Sequence, residues 1–217
     1  MKILSVNVGK PKVHHLDGVM METSMAKDSQ NQIHVNKSNI EGDEFKSPNL
    51  HGTIDAVVYA MNSQRYSFWS QLCGKKLPLG TLGENLSVDK LDESEFFLGD
   101  EFQCGGVVIK VTGVRYPCNR LNFVTGHSKM RDEFLNQDSP GVYFEVIHPG
   151  TIKPQDDLVL KKRFQNEISV LDLYQTLRTA ERKNLSNSQM DKLVNSPFLL
   201  QKYKDRLYRI TGRTQPN

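Results

Sequence analysis

Through the first 160 residues the hydrophobic positions fall in short runs of strand length, broken by turn formers. Ile3 to Val8, Asp55 to Tyr59, Phe102 to Cys104, Val107 to Val111, Val142 to Ile147 and Leu158 to Leu160 are rich in β-branched, aromatic or other apolar residues. Gly99-Asp100, Gly105-Gly106 and Pro149-Gly150 lie between or beside them, and Gly105-Gly106 predicts a hairpin turn. Two segments carry a helical period instead: Asn62 to Leu72, with Tyr66, Trp69 and Leu72 three apart, and Ser128 to Asn136, with Met130 and Phe134 four apart. Both are expected to pack on the strands. The polar stretch Glu22 to Asn39 has no clear period and reads as loop with one short strand.

From about Lys161 the pattern turns helical. Three helix starts are visible: Ser169 with Asp172 three residues on, Ser186 with Gln189 three on, and Ser196 followed by Pro197. Leu200, Tyr203, Leu207 and Ile210 then recur at helical spacing. The expected class is mainly β with helices (α+β), divided into residues 1–162 and a three-helix segment 163–217 too small to stand alone, which must lean on the strands.

Composition adds limits. A chain of 217 residues with 37% hydrophobic content can bury a substantial core, and its size suits one domain with a small appendage. A net charge of +3 argues against nucleic acid or a membrane surface as partner. The charge is unevenly spread: residues 161–217 hold 12 basic and 5 acidic side chains, leaving 16 and 20 in the first 160. Three cysteines, Cys73, Cys104 and Cys118, make no even disulfide framework and fit a reducing compartment. With an opening apolar run too short for a signal peptide and no run of about 20 apolar residues, the chain is expected to be cytoplasmic.

The most pointed local feature is Arg115-Tyr116-Pro117-Cys118-Asn119-Arg120, directly after a strand. Two arginines would favour the thiolate of Cys118, and Pro117 would stiffen the loop that displays it. The same residue reads equally well as a small packing side chain. Cys73 and Cys104 read as packing residues, and His14-His15 as exposed loop. Cys-x-x-Cys, His-Glu-x-x-His, a Walker loop and a Rossmann fingerprint are all absent. Three polar loop motifs, Glu41-Gly42-Asp43, His51-Gly52-Thr53-Ile54-Asp55-Ala56-Val57 and Gly83-Glu84-Asn85-Leu86, are individually weak.

Taken in order with Gly99-Asp100, Arg115-x-Pro117-Cys118 and Gly141-Val142-Tyr143 through Pro149-Gly150, these motifs resemble the MOSC domain, the molybdenum cofactor sulfurase C-terminal domain family, over about Met1 to Leu160. The basic tail is similar to the all-α extension of YiiM-type members. Thr53 departs from the family, which commonly has a second glycine after His-Gly.

The resemblance implies a β-barrel core that binds the molybdenum cofactor (molybdopterin), with Cys118 as the protein ligand to the metal. Arg115 and His51 become candidates for anion contacts, Asn85 and Asn119 for hydrogen bonds to the pterin, and Asp43 or Glu84 for a proton donor, beside their plainer reading as turn caps or ion-pair partners. The implied reaction is reduction of N-hydroxylated compounds, hydroxylaminopurines and amidoximes, with electrons from a separate flavoprotein reductase, since no flavin or nicotinamide motif is present. The basic tail is one place such a partner would dock; a homodimer stays open beside a monomer. Two other readings stand beside it: a sulfur carrier or transferase using a Cys118 persulfide, and a non-catalytic module that binds or delivers the cofactor.

Overall fold

The computed structural model describes residues 1–44 and 53–215. Its strands in chain order are β1 (Ile3–Gly9), β2 (Lys12–Leu16), β3 (Val19–Thr23), β4 (Lys27–Gln30), β5 (Ile33–Val35), β6 (Val58–Asn62), β7 (Leu86–Val88), β8 (Glu101–Cys104), β9 (Val107–Val114), β10 (Val142–His148), β11 (Gly150–Ile152) and β12 (Leu158–Lys162). The helices are α1 (Tyr66–Leu72), α2 (Arg120–Thr125), α3 (Met130–Leu135), α4 (Val170–Glu181), α5 (Asn187–Val194) and α6 (Gln201–Thr211). No helix among the described residues is long and apolar enough to cross a membrane.

Eight strands form one sheet in the order β12-β8-β9-β10-β6-β7-β1-β4, antiparallel except for the parallel pair β6 and β7. The sheet curls back on itself. Ile3 N donates to Asp156 O at 3.0 Å, Gln155 N to Ile3 O at 2.7 Å and Leu158 N to Met1 O at 2.8 Å, so the start of β1 meets the start of β12. The ring therefore runs from β1 through β7, β6, β10, β9, β8 and β12 to β1 again, and β4 covers the far half of the β1 edge. Closure removes the open edges that a flat sheet of this size would expose.

The strands alternate as a one-sided sheet should: β10 reads buried at Val142, Phe144 and Val146 and half-exposed between them. β9 is buried at all but one position, because the tail helices cover its outer face. The tail shares the core of the ring. Val170, Leu173, Tyr174 and Leu177 of α4, with Tyr203 and Leu207 of α6, join one cluster with Ile109, Val111, Val114 and Phe144. Helices α1 and α3 sit over a second cluster, where Trp69 stacks on Phe134 at 5.5 Å between ring centroids and both pack on Tyr59 and Met61 of β6.

Several expectations need correction. Residues 54–56 form a 3-10 turn, so β6 starts only at Val58. The polar stretch 22–39 holds two strands, β4 and β5, each too short and too exposed on one face to show a period. His14 and His15 lie in β2, whose pairing with β3 makes a hairpin that the mixed sequence concealed. The capping boxes at Ser169 and Ser186 both form, but Ser196-Pro197 opens a turn and α6 begins after Leu200. Much of the tail's positive charge is paired, Arg163 with Asp100, Arg178 with Asp138, Lys202 with Asp55 and Arg206 with Glu181.

Candidate functional site

The Cys118 loop begins where β9 ends. Val114 pairs with Val142 of β10, and the chain then leaves the sheet through Arg115, Tyr116 and a buried Pro117 to a partly buried Cys118. Leu121 N donates to Cys118 O at 3.1 Å, tying the loop to the first turn of α2. Proline fixes the approach and this turn fixes the departure, so the thiol is held at a strand end rather than on a free loop. The three cysteines are unpaired thiols. Burial pushes the thiol of buried Cys104 far above the usual range and raises that of the partly exposed Cys73 as well, so neither is poised as a thiolate.

Arg115 is 6% exposed, and its Nε, buried, has no hydrogen-bond partner. Among the described residues its Nη2 reaches only the sulfur of Met25, at 3.2 Å, and its guanidinium carbon lies 5.1 Å from the centroid of the Tyr59 ring. Tyr59 in turn leans on Tyr143, with centroids 5.1 Å apart. Burial works to lower the Arg115 pKa, but Tyr143, Tyr59, Cys118 and Glu84 around it more than offset that, so it stays charged. Gly83, at φ +94°, brings its bare Cα against the guanidinium; a Cβ there would lie 2.7 Å from Nη1. A buried cation with strong donors unspent is costly unless something anionic completes it.

The remaining polar groups are spent on one another. Lys27 and Asp43 form a buried ion pair, Nζ to Oδ2 at 2.6 Å. Asp43 also accepts from Gly9 N at 2.7 Å and from Asn85 Nδ2 at 2.9 Å. Burial lowers the Lys27 pKa against the pull of Asp43. The Asn85 side chain is consumed as well: Oδ1 accepts from Tyr59 N at 3.2 Å and Nδ2 also donates to Asn7 O at 3.2 Å. Glu84 is fully buried and accepts from Tyr66 Oη at 2.6 Å, Gly80 N at 2.8 Å and Ser87 Oγ at 2.7 Å. Burial raises its pKa over the opposing effect of these bonds.

Of the residues singled out from sequence, the structure thus places Arg115 beside Cys118 with unspent donors. Asn119 is exposed next to the thiol, with no capping bond from its side chain. Asp43, Glu84 and Asn85 brace the strands beneath the site, and Asn85 has no donor left to offer a pterin. His51 lies outside the described residues. Tyr59, Met25 and Lys27 were not signalled as site residues, and Tyr143, though part of the Gly141-Val142-Tyr143 motif, was given no role; Tyr59 and Tyr143 reach Arg115 through the pairing of β6 and β10 beside β9, and Lys27 through the pairing of β4 on β1. Among the described residues no three His, Cys, Asp or Glu gather as a metal cage, so a metal held by Cys118 would take its other donors from a cofactor. The donor set, one loop thiol and one buried unpartnered guanidinium, fits a soft metal carried by a group that also bears an anion.

The fold and this site define a closed β-sheet protein with a cysteine-and-arginine loop at a strand end. Residues 47–159 match the family model of the MOSC domain. The chain is 30% identical to the uncharacterized protein YflK of Bacillus subtilis, over 94% of this chain and 95% of that one. It is 23% identical to a Gibberella moniliformis protein named Reductase, over 90% of this chain and 35% of that longer one. In structure it resembles YiiM from Geobacillus stearothermophilus, with TM-score 0.77, 23% identity and coverage of 97% and 98%. The chain belongs to the MOSC domain family, and its fold is that of YiiM.

Proposed function

We propose that this protein binds the molybdenum cofactor through Cys118 and Arg115 and reduces N-hydroxylated compounds, such as hydroxylaminopurines and amidoximes, with electrons from a separate reductase. The observation that carries this is the buried Arg115 Nε without a partner, beside a loop cysteine at a strand end. Membership of the MOSC family agrees with a molybdenum-cofactor activity, and a relative named Reductase agrees with oxidoreductase chemistry.

Cys118 supplies a thiolate, whose softness suits molybdenum. Arg115 supplies a planar, permanently charged fork for the phosphate of the pterin, held in place by Tyr59, Met25 and the bare Cα of Gly83. Asn119 offers an exposed amide beside the thiol. Asp43 and Glu84 hold the floor rather than deliver protons, since their oxygens already accept from fixed donors. The bound cofactor supplies the two-electron chemistry that converts N–OH to N–H, with two protons and two electrons taken up and water released.

The test is metal analysis and turnover of wild type beside Cys118→Ser, from cells with intact cofactor synthesis. Near-stoichiometric molybdenum in wild type and its loss together with reductase activity in the variant is the expected result. Full reduction of hydroxylaminopurine by metal-free protein overturns the reading. A persulfide on Cys118 with no molybdenum supports sulfur transfer instead.

A further inference from the structure

The last helix touches the cysteine loop at two successive turns. Strand β9 outruns its neighbour on one side: Glu101 of β8 pairs Lys110, Asp100 O accepts from Val111 N at 2.9 Å, Gly99 N donates to Val111 O at 2.9 Å, and there that partnership ends. Gly113 and Val114 keep β10 on one edge and, among the described residues, have no strand on the other. Tyr203 of α6 fills that edge. Its hydroxyl accepts from Val114 N at 3.0 Å and donates to Val114 O at 3.0 Å, clipping the peptide groups on both sides of the residue before Arg115. Gly113 makes this approach feasible, because a Cβ there would sit 2.5 Å from Cζ of the Tyr203 ring. One turn further along α6, the guanidinium carbon of Arg206 lies 3.8 Å from the centroid of the Tyr116 ring, while its Nη2 donates to Glu181 of α4 at 2.7 Å. Tyr174 of α4 closes on Tyr116 from the same side, 6.2 Å between centroids.

We propose that α6 is a working part of the Cys118 site: Tyr203 and Arg206 are positioning residues that fix the direction in which the Arg115–Cys118 loop presents its thiol and guanidinium. A helix that merely covered the sheet would need apolar contacts, and Leu207 already makes them. Tyr203 instead spends a buried hydroxyl on both polar groups of Val114, and Arg206 a charge on the ring of Tyr116, the two residues that flank Arg115 in sequence. Small displacements at a reacting group carry large rate effects, so a loop leaving the sheet at a bare edge gains from being held there. The inference rests on reading Cys118 as the reactive thiol, but not on the identity of what it binds.

The experiment uses the full chain without cofactor, in a Cys73→Ser background so that Cys118 is the accessible thiol. The rate of iodoacetamide alkylation at Cys118, mapped by mass spectrometry at one fixed pH, is compared for Tyr203→Phe, Arg206→Ala, Arg206→Lys and Gln201→Ala. Tyr203→Phe keeps the ring and loses only the clip. Gln201→Ala breaks the exposed Gln201–Asp205 hydrogen bond, 2.8 Å, on the same helix and touches neither Tyr203 nor the loop. A change of about threefold or more in rate is expected for Tyr203→Phe and Arg206→Ala, with Arg206→Lys partly restored and Gln201→Ala unchanged. Rates for folded Tyr203→Phe and Arg206→Ala that coincide with the parent overturn the inference, and if Tyr203→Phe does not fold, the Arg206 pair decides it alone. Because the readout is thiol reactivity in metal-free protein, its failure is distinct from failure of the molybdenum assignment, which metal content reports.

Discussion

The guanidinium carbon of Arg115 sits 5.1 Å from the centroid of the Tyr59 ring, and its Nε is buried without a hydrogen-bond partner. In the cofactor-free protein that arrangement is a cost, because the surrounding groups keep the guanidinium charged but leave its buried Nε donor without an acceptor. Arg115→Met, of similar length and apolar against Met25 and Tyr59, should raise the stability of the cofactor-free protein by about 1–3 kcal/mol in urea unfolding while its molybdenum content falls to background. The two readouts moving in opposite directions is what identifies a ligand site; a loss of both would mark Arg115 as an ordinary structural residue.

Lys27 and Asp43 are a different case, since each already holds the other. Lys27→Met leaves the Asp43 carboxylate buried with only Gly9 N and Asn85 Nδ2 as donors. The expected loss is about 3–5 kcal/mol, and Lys27→Met combined with Asp43→Asn should recover at least half of it. Chemical denaturation of the single and double variants checks this. Additive losses would show that the two residues do not act as a pair.

What was legible in the sequence was local. The runs at Ile3, Val107 and Val142 announced their strands, Gly105-Gly106 its hairpin, and Ser169 and Ser186 their helix starts, because each signal and its consequence lie within a few residues. Cys118 and Arg115 were visible because they sit three apart in one loop. The partners of Arg115 were not: Tyr59, Met25 and Gly83 converge only once β6 has paired with β10 beside β9 and β4 has paired with β1, which brings distant segments together. The wrong start of the third tail helix has the same origin. Ser196-Pro197 is a sound helix-start signal, but Phe198 packs over Gly99, where a Cβ would sit 2.5 Å from its ring, and that docking keeps the turn from continuing into α6.

The tail can be tested at its entrance. Ser169 Oγ accepts from Asp172 N at 3.0 Å and the Asp172 carboxylate accepts from Ser169 N at 2.9 Å, while Val170 N donates to Phe96 O at 2.8 Å. Ser169→Ala should cost about 1 kcal/mol. Since α4 and β9 share one core, the loss should appear as a shift of a single unfolding transition, with tail and sheet probes coincident. A separate early transition confined to the helices would show that the two regions are energetically independent.

Stability should also fall as pH rises through neutrality, and Glu93 is the reason. Its buried carboxylate accepts from Gly141 N at 2.8 Å and Ser139 Oγ at 3.1 Å, yet burial outweighs these bonds and pushes its pKa up to about 7. A carboxyl raised from 4.5 to about 7 on folding binds more protons in the native than in the unfolded chain between those values. Its favourable contribution is therefore complete below pH 4.5 and lost as pH rises to about 7, by at most about 3 kcal/mol. Glu84, raised by burial as well, acts in the same direction. Glu93→Gln retains an oxygen for Gly141 and Ser139 but cannot ionise, so it should match wild type near pH 5, exceed it by about 2–3 kcal/mol at pH 8, and flatten the profile between. The loop it braces carries Pro140, whose carbonyl accepts from Tyr59 Oη at 2.8 Å, so the same titration should loosen the ring under Arg115. Urea unfolding from pH 5 to 8 measures the first effect; parallel slopes for wild type and Glu93→Gln would reject it.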